Sequence, residues 1–333
     1  MFNKICCVSI LFYSILFINP LSFSNELSKE QLATIMKDME SAVSDICVDY
    51  EWYNIPPLTA EEEEKKMGAP VLVPKDGIRK FKLYLSRPPA DSNQTIKQGL
   101  SADAYDPNLS PVNWGFVKEE SATLVMKDGN SWQQTTKESC DGKVGRKLSM
   151  GGWPTPRKWA KISGQKQEPE VSLRLTPMGF SVFHTSLSKM TNYYTLSYIL
   201  KNNPEMIYLD TTVQSVGGFK TIHIDLLQQT AKIPVARIYF SIDHNYTPVR
   251  FEYLRRDNPN VTFEVQTLEK IGENLWFPSS GDIINSDSDN INAFQTTSPI
   301  ICNQKRDNKV FEIELPSGTE VTDEVKGTTY KVK

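Results

Sequence analysis

The sequence contains 333 residues, of which 39% are hydrophobic and 23% are charged. Lysine and arginine together number 37, and aspartate and glutamate number 40, so the formal net charge is −3 at pH 7. This near balance offers no basic excess for nucleic acid or an anionic lipid surface, and no acidic tail. The length suffices for one large domain or two small ones with a well-buried core.

The first 24 residues have the pattern of a secretory signal peptide. Lys4 precedes an apolar run over 5–17, and the small residues Ser22 and Ser24 suit positions −3 and −1 of a cleavage site. The run is shorter than the roughly 20 residues of a membrane-spanning helix. We predict a signal peptide over 1–24, with an uncleaved anchor as the alternative. The mature protein would then be exported.

After the signal, the chain begins with one amphipathic helix and continues mostly as strands. A capping box at Ser28 and Gln31 and apolar residues at helical spacing predict a helix over 29–46. The apolar period then changes to two, which predicts a strand over 48–53. A second short helix is predicted over 193–202. Polar or Pro-containing segments are predicted as loop insertions near 56–77, 87–113 and 151–170.

The clearest pattern lies in residues 206–285. Four runs of alternating apolar and polar residues are separated by short turns, as in Ile222, Ile224 and Leu226. This pattern predicts an antiparallel meander with one apolar and one wet face. The closing segment 311–333 alternates in the same way and is predicted to form an amphipathic ribbon. We predict an α+β fold: a large antiparallel sheet with an N-terminal helix and a second short helix, as a single domain over 25–333.

The sequence contains little that indicates catalysis or metal binding. His223 and Asp225 share one face of a predicted strand, where they could form an acid–base or metal pair, but solvated strand residues are the favoured interpretation. No nucleophile elbow, zinc-protease helix or phosphate-binding loop is present. Widely spaced cysteines at 47, 140 and 302 suit neither a zinc site nor a disulfide framework, although one bridge remains open. We therefore predict no enzyme activity, no cofactor and no metal.

A basic segment, 137–166, carries eight lysines and arginines together with Trp153 and Trp159. It suits a contact patch for anionic head groups or polysaccharide. The favoured interpretation is a solvated hairpin followed by a loop.

The predicted sheet is broader than the helices that would cover it. Strands lie about 4.8 Å apart, so eight strands span roughly 38 Å. A helix with its side chains is only about 10 to 12 Å wide. Soluble proteins rarely expose more than a few hundred Å² of continuous apolar surface. The sheet must therefore curl around its helices, be covered by loops or hold an apolar ligand.

Several segments together resemble a known family of exported bacterial proteins. They are "VDYEW", "SCDGKVGRKL", "YFSIDHNYTPVRFEY", "IGENLWFPSSGDI" and "FEIELPSGTEVTDEV". The chain resembles LolA-like, outer-membrane lipoprotein-sorting proteins over most of its length after the signal. This resemblance implies a large curved antiparallel sheet, a half-barrel, with both helices on its concave face and an apolar hollow that takes acyl chains. It also implies secretion across the inner membrane into the periplasm or cell envelope. The chain is more than a hundred residues longer than such carriers, and the three loop segments have no counterpart in them.

These observations predict a non-catalytic envelope protein that holds an acyl chain, lipid or lipoprotein in a half-barrel cavity. The predicted lining consists of apolar sheet and helix residues: Ile35, Met39, Val43, Ile222, Ile224, Phe240, Ile242, Phe251 and Phe263. One alternative is a structural or interaction module with a filled core. A third hypothesis is an envelope hydrolase that uses carboxylates or the His223/Asp225 pair. No nucleic acid partner is expected, and no protein partner is identified.

Overall fold

A computed structural model describes the chain in segments: residues 27–57, 59–86, 115–141, 144–152, 155, 157–164, 196–228, 231–255, 258–286, 291–304 and 306–333. The predicted signal peptide and the predicted loop 87–113 lie outside these residues. The helices of the described residues are α1 Lys29–Ala42, α2 Ala60–Met67 and α3 Leu196–Asn202.

The strands of the described residues belong to one sheet. The first seven are β1 Asp45–Ile55, β2 Val73–Pro74, β3 Ile78–Ser86, β4 Gly115–Val125, β5 Ser131–Cys140, β6 Gly145–Gly151 and β7 Arg157–Ser163. The next seven are β8 Ile207–Val216, β9 Phe219–Leu227, β10 Pro234–Ser241, β11 Thr247–Arg255, β12 Asn258–Lys270, β13 Trp276–Asn285 and β14 Ile291–Thr296. The last three are β15 Ile301–Cys302, β16 Glu320–Asp323 and β17 Thr328–Lys331.

The sheet is open and almost entirely antiparallel. From one edge to the other its order is β17, β16, β7, β6, β5, β4, β3, β1, β14, β13, β12, β11, β10, β9 and β8, with β2 beside β4 and β15 beside β1. Only the β7–β16 pair is parallel among the described strands. The predicted α+β class, a large antiparallel sheet with an N-terminal helix and a second short helix, is confirmed.

Strands β9 to β12 form the meander that the alternating pattern predicts. Neighbouring strands pair through short turns, and Gly217 and Gly218 at the β8–β9 turn adopt positive φ angles of 58° and 85°, which glycine accepts without strain. The register shifts between Tyr239 and Phe240 in β10 and again along β12. Such bulges bend a sheet and increase its twist. The meander is therefore curved.

Helix α1 begins where the sequence predicts and ends four residues earlier. The Ser28 hydroxyl accepts a hydrogen bond from the Gln31 backbone N–H, and the Gln31 side chain accepts one from Ser28, so the predicted capping box is present. Val43 is already extended, with φ −109° and ψ 113°. The prediction of helix to residue 46 was wrong: Val43 and Ile46 fit helical spacing, but β1 begins at Asp45 and contains the β-branched Ile46.

Two of the predicted loop insertions contain regular structure. Helix α2 lies within 56–77, with a capping box at Thr59 and Glu62 and a left-handed Gly68 at its C-terminal end. Strand β7 lies within 151–170, so the loop interpretation is wrong for residues 157–163. Buried Ala160 alternates there with exposed Trp159, but Lys and Arg on both sides hide the short period-two pattern.

The closing segment does form one edge of the sheet, although its strands start later than predicted. Phe311 ends a short 3-10 turn, and residues 312–319 form no strand. Ile313 and Leu315 pack on a small cluster around Val321, so their alternation reflects one-sided packing rather than strand pairing. Strand β17 pairs with β16 alone among the described strands and ends the sheet.

The main core lies between the sheet and helices α1 and α3. It includes Leu32 and Met36 from α1, Leu196 from α3, Cys140 from β5 and Ile207 from β8. Strands β5 and β8 are far apart in the strand order, and a flat sheet would separate them by roughly 45 Å or more at about 4.8 Å per strand. Since both strands contribute to one continuous core, the sheet wraps around the two helices.

Candidate functional site

Five of the nine residues predicted to line a cavity lie in the main core. The exposed fraction is 0% for Val43, Ile224 and Phe240, 3% for Ile222 and 4% for Met39. Their side chains belong to the same buried cluster as residues of α1 and α3. A ligand would reach the sheet residues only if one of these helices moved.

The other four predicted residues are less central. Ile35, Ile242 and Phe251 are partly buried and pack against the main core. Phe263 belongs to a second cluster, where its ring stacks on Phe294 with 5.6 Å between ring centres. The structure therefore brings eight of the nine residues into or against one core and places Phe263 beside it.

A cleft of about 430 Å³ opens at the edge of this core, beside the C-terminal half of α1. Its volume falls in the range of about 300 to 1,000 Å³ that is typical of small-molecule sites. It is lined by residues of α1, of the β12–β13 turn and of two further loops: Ile35, Asp38, Met39, Ala42, Asn245, Ile271, Gly272, Glu273, Asn274, Leu275, Cys302 and Asn303. Ile35 and Met39 are thus the two predicted residues that face open space.

Helix α1 forms one wall of the cleft. Ile35, Asp38, Met39 and Ala42 are separated by three, one and three residues, and this spacing brings all four to one side of the helix. Met39 reaches into the core, whereas Asp38 and Ala42 are exposed at the mouth. The wall is therefore apolar at depth and polar at its rim.

The β12–β13 turn forms the opposite wall. The backbone N–H groups of Ile271 and Gly272 donate to the Leu275 carbonyl at 2.9 and 3.2 Å, which closes a tight turn. Leu275 is 5% exposed and belongs to the main core. Asn245 lies between β10 and β11. Its side-chain N–H donates to the Asn274 carbonyl at 3.0 Å and supports the β12–β13 turn.

Asn303 holds the end of α1 at the rim of the cleft. Its side-chain N–H donates to the Ala42 carbonyl at 2.8 Å, and its side-chain oxygen accepts from the Ser44 N–H at 2.8 Å. Neighbouring Cys302 donates its thiol to the Ile271 carbonyl at 3.4 Å. Burial raises the pKa of the Cys302 thiol, so it is protonated at neutral pH and acts as an apolar lining group.

The two helices over the core are joined by a buried carboxylate. Glu40 on α1 is 2% exposed, and its side chain accepts hydrogen bonds from the backbone N–H of Ser197 at 3.0 Å and from the Ser197 hydroxyl. This contact holds α1 and α3 together above the sheet.

The polar face of the meander is a buried network and was wrongly predicted to be wet. Asp225 is 5% exposed, and its two oxygens accept from the Arg237 guanidinium at 2.6 and 2.9 Å. Neighbouring His223 is 8% exposed, and Glu252 on β11 is 3% exposed and paired with Arg250 at 2.7 Å. Charges on adjacent strands neutralise one another, which lets the face be buried.

His223 is a buried member of this network rather than a solvated strand residue. Burial is the main cause that lowers the pKa of His223, so the ring is neutral at pH 7. Its Nδ1 accepts a hydrogen bond from the Gln214 amide at 2.9 Å, which leaves the proton on Nε2. Nε2 lies 3.9 Å from carboxylate oxygens of both Asp210 and Asp225, and the Asp225 carboxylate is held by Arg237. Among the described residues, no group of three or more potential ligands is arranged for a metal ion.

Most described cations of the basic segment are neutralised. The ion pairs are Lys137–Glu119 at 3.0 Å, Arg146–Asp141 at 3.2 Å, Lys147–Glu138 at 2.6 Å and Lys161–Glu324 at 2.8 Å. Trp153 lies outside the described residues, and Trp159 is 41% exposed. The segment is thus a salt-bridged hairpin and strand rather than a free basic patch.

Most of the residues that line the cleft were not predicted from the sequence. Leu275, Ile271 and Asn303 belong to turns, where neither helical nor strand periodicity marks an inward side chain. One signal was present: the glycine and asparagine of "IGENL" mark a turn followed at once by an apolar residue.

Similarity to known proteins is found in the structure and not in the sequence. The sequence matches no protein-family model and no curated protein. One similar solved structure is a DUF1329 family protein from Desulfovibrio piger, with 11% identity, TM-score 0.38, and coverage of 85% of this chain and 95% of that chain.

Two further solved structures are similar to this chain. A putative outer membrane lipoprotein-sorting protein domain from Vibrio parahaemolyticus has 9% identity, TM-score 0.37, and coverage of 85% of this chain and 97% of that chain. A LolA superfamily protein from Nitrosomonas europaea has 9% identity, TM-score 0.34, and coverage of 84% and 96%. In the part of the chain that the structure describes, no helix is long and apolar enough to span a membrane.

Proposed function

We propose that the protein is a non-catalytic component of the bacterial cell envelope that binds an acyl chain or a similar slender apolar ligand. The ligand would enter the cleft between α1 and the β12–β13 turn and lie against Ile35 and Met39. The predicted export signal over 1–24 provides the expected location. The observation that supports the proposal is an open cleft with an apolar interior directly beside the core that the two helices cover.

The size of the cleft sets the expected affinity. Burying about eight methylene groups would stabilise a complex by about 6 kcal/mol at about 0.8 kcal/mol for each group. Ordering the chain and losing its freedom of movement oppose this gain. We therefore expect dissociation constants from about 100 µM to 1 mM for a single alkyl chain, and tighter binding if α1 moves and exposes Ile224 or Phe240.

A fluorescence titration tests the proposal. N-phenyl-1-naphthylamine, a neutral dye that brightens in apolar sites, is titrated into the purified protein without detergent. The variant Ala42→Trp places a large ring at the mouth of the cleft, where Ala42 is exposed. Ser41→Trp is the matched control, because Ser41 is the exposed neighbour on the same helix and does not line the cleft.

We expect the wild-type protein and Ser41→Trp to bind the dye, and Ala42→Trp to bind it at least tenfold more weakly. Absence of dye binding to the wild-type protein would refute the proposal. Equal binding by all three proteins would also refute it, because the dye would then lie elsewhere.

The filled core favours a second candidate, a structural or interaction module of the envelope. Val43, Ile224 and Phe240 are completely buried under the helices, as a module without a ligand requires. This candidate predicts that the protein does not bind the dye and that no lipid copurifies with it. Extraction of the gently purified protein followed by lipid mass spectrometry distinguishes the two functions.

A further inference from the structure

The charges at the mouth of the cleft indicate which kind of polar end a bound chain would carry. Asp38 on α1 and Glu273 on the β12–β13 turn both line the cleft and are exposed. Neither carboxylate takes part in an ion pair within 4.0 Å among the described residues, in contrast to the carboxylates of the basic segment. None of the lining residues is lysine, arginine or histidine.

The end of α1 adds negative potential at the same place. Ala42, the last residue of the helix, lines the cleft, and the last turn contains no basic residue. The C-terminal end of a helix carries a partial negative charge from its unpaired carbonyl groups. Asn303 donates to one of these carbonyls but brings no positive charge.

The amides at the rim are largely engaged with the protein itself. Asn303 bonds to Ala42 and Ser44, and Asn245 bonds to the Asn274 carbonyl. Asp38 and Glu273 are therefore the ionic groups that a ligand would meet at the mouth. A free carboxylate or phosphate placed there would be repelled, whereas an ammonium group would be attracted.

We infer that the cleft selects an aliphatic chain whose polar end carries an amine or another cation, and discriminates against fatty-acid and phosphate ends. This inference rests on the proposed function, because it assigns the polar end of the chain that the cleft holds. The apolar interior takes the chain, and the two carboxylates at the mouth take the cation.

A competition experiment tests the selectivity. Three amphiphiles with the same dodecyl chain, namely dodecyltrimethylammonium, dodecyl maltoside and dodecanoate, displace N-phenyl-1-naphthylamine below their micelle concentrations. At low salt we expect the ammonium compound to bind about tenfold more tightly than the carboxylate, with the neutral maltoside between them. Salt at about 1 M reduces the Debye length to about 3 Å and should remove most of this difference.

Charge variants show whether the named carboxylates are responsible. Asp38→Asn combined with Glu273→Gln should abolish the preference and leave binding of the maltoside within twofold of wild type. Glu30→Gln combined with Asp76→Asn changes the net charge equally at exposed positions outside the cleft and should keep the preference.

The outcomes separate the inference from the proposed function. If all three amphiphiles bind equally, or dodecanoate binds most tightly, the head-group inference is overturned and the chain-binding function stands. If the preference survives in the Asp38/Glu273 double variant, the inference is overturned as well. If none of the three displaces the dye, or the dye itself does not bind, the proposed function fails and the inference fails with it.

Discussion

The Asp225–Arg237 pair provides a quantitative prediction about the buried polar network. The variant Arg237→Met keeps much of the apolar stem but removes both hydrogen bonds to Asp225, at 2.6 and 2.9 Å. The Asp225 side chain is only 8% exposed. The Arg237 charge is one of the causes that lower the pKa of neighbouring His223, so unfolding is measured at pH 8 to keep the ring neutral in the variant. The variant would therefore leave a buried carboxylate without a cationic partner.

The magnitude follows from the burial of the two partners. Breaking a fully buried ion pair from one side costs about 3 to 5 kcal/mol. The Arg237 side chain is 32% exposed, so water partly replaces it, and we expect a loss of about 2 to 3 kcal/mol in the free energy of unfolding. Arg79→Met is the matched control, because the Arg79 side chain is 43% exposed in its pair with Glu120 and should contribute about 0 to 1 kcal/mol.

Urea unfolding followed by tryptophan fluorescence measures both losses. The double variant Asp225→Asn/Arg237→Met should be more stable than Arg237→Met alone, because the unpaired carboxylate is no longer charged. If Arg237→Met loses no more than Arg79→Met, the network is more hydrated than its burial indicates. The explanation for the buried polar face would then be wrong.

Three further predictions concern stability. Glu40→Ala removes the acceptor that joins α1 to the backbone N–H of α3 and should cost about 2 to 3 kcal/mol in urea unfolding; a loss below about 0.5 kcal/mol would show that the helices do not depend on it. Gly281→Ala should lower the free energy of unfolding by about 1 to 3 kcal/mol, because the new Cβ would lie 2.5 Å from a β12 carbonyl oxygen and 2.7 Å from the Phe294 ring. The control Gly164→Ala should lose less stability, because its new Cβ meets nothing closer than 3.7 Å. Equal losses in the two variants would contradict the predicted clash. Burial lowers the pKa of His223 below 6.5, so the unfolded chain takes up this proton first and stability falls as the pH drops from about 6.5 towards the folded pKa. His223→Gln should therefore flatten the decline in the midpoint of thermal unfolding between pH 7.5 and 5.5, and an unchanged slope would assign that decline to other groups.

The sequence predicted the elements whose periodicity is long and regular. The capping box of α1 and the four alternating runs of the meander each specify one local structure, and tertiary packing agrees with both. Strand β7 was missed because Lys and Arg on both of its faces hide its alternation, and because the ion-pair partner of Lys161, Glu324, lies far along the chain, where no local pattern reveals it. The buried state of His223 and Asp225 was missed for the same reason, since it depends on Arg237 lying opposite on β10.

The candidate site was only partly predictable. Helical spacing correctly places Ile35 and Met39 on the inner side of α1, and both line the cleft. Strand periodicity places Ile224 and Phe240 on the same side of the sheet as the helices, but it carries no information on whether a helix fills the space above them. Turn residues such as Leu275 and Asn303 enter the site through the path of the chain rather than through any period.

The proposed function requires an alkyl chain to lie against Ile35 and Met39. The most direct measurement is methyl NMR of the protein with a nitroxide-labelled alkyl chain that carries a neutral head group. We expect the methyl signals of Ile35 and Met39 to broaden during the titration. The methyl signals of Leu148 should not broaden, because Leu148 lies in a separate cluster near the other edge of the sheet. Broadening of Leu148 to the same extent, or no broadening of Ile35 and Met39, would show that the chain does not lie in the cleft.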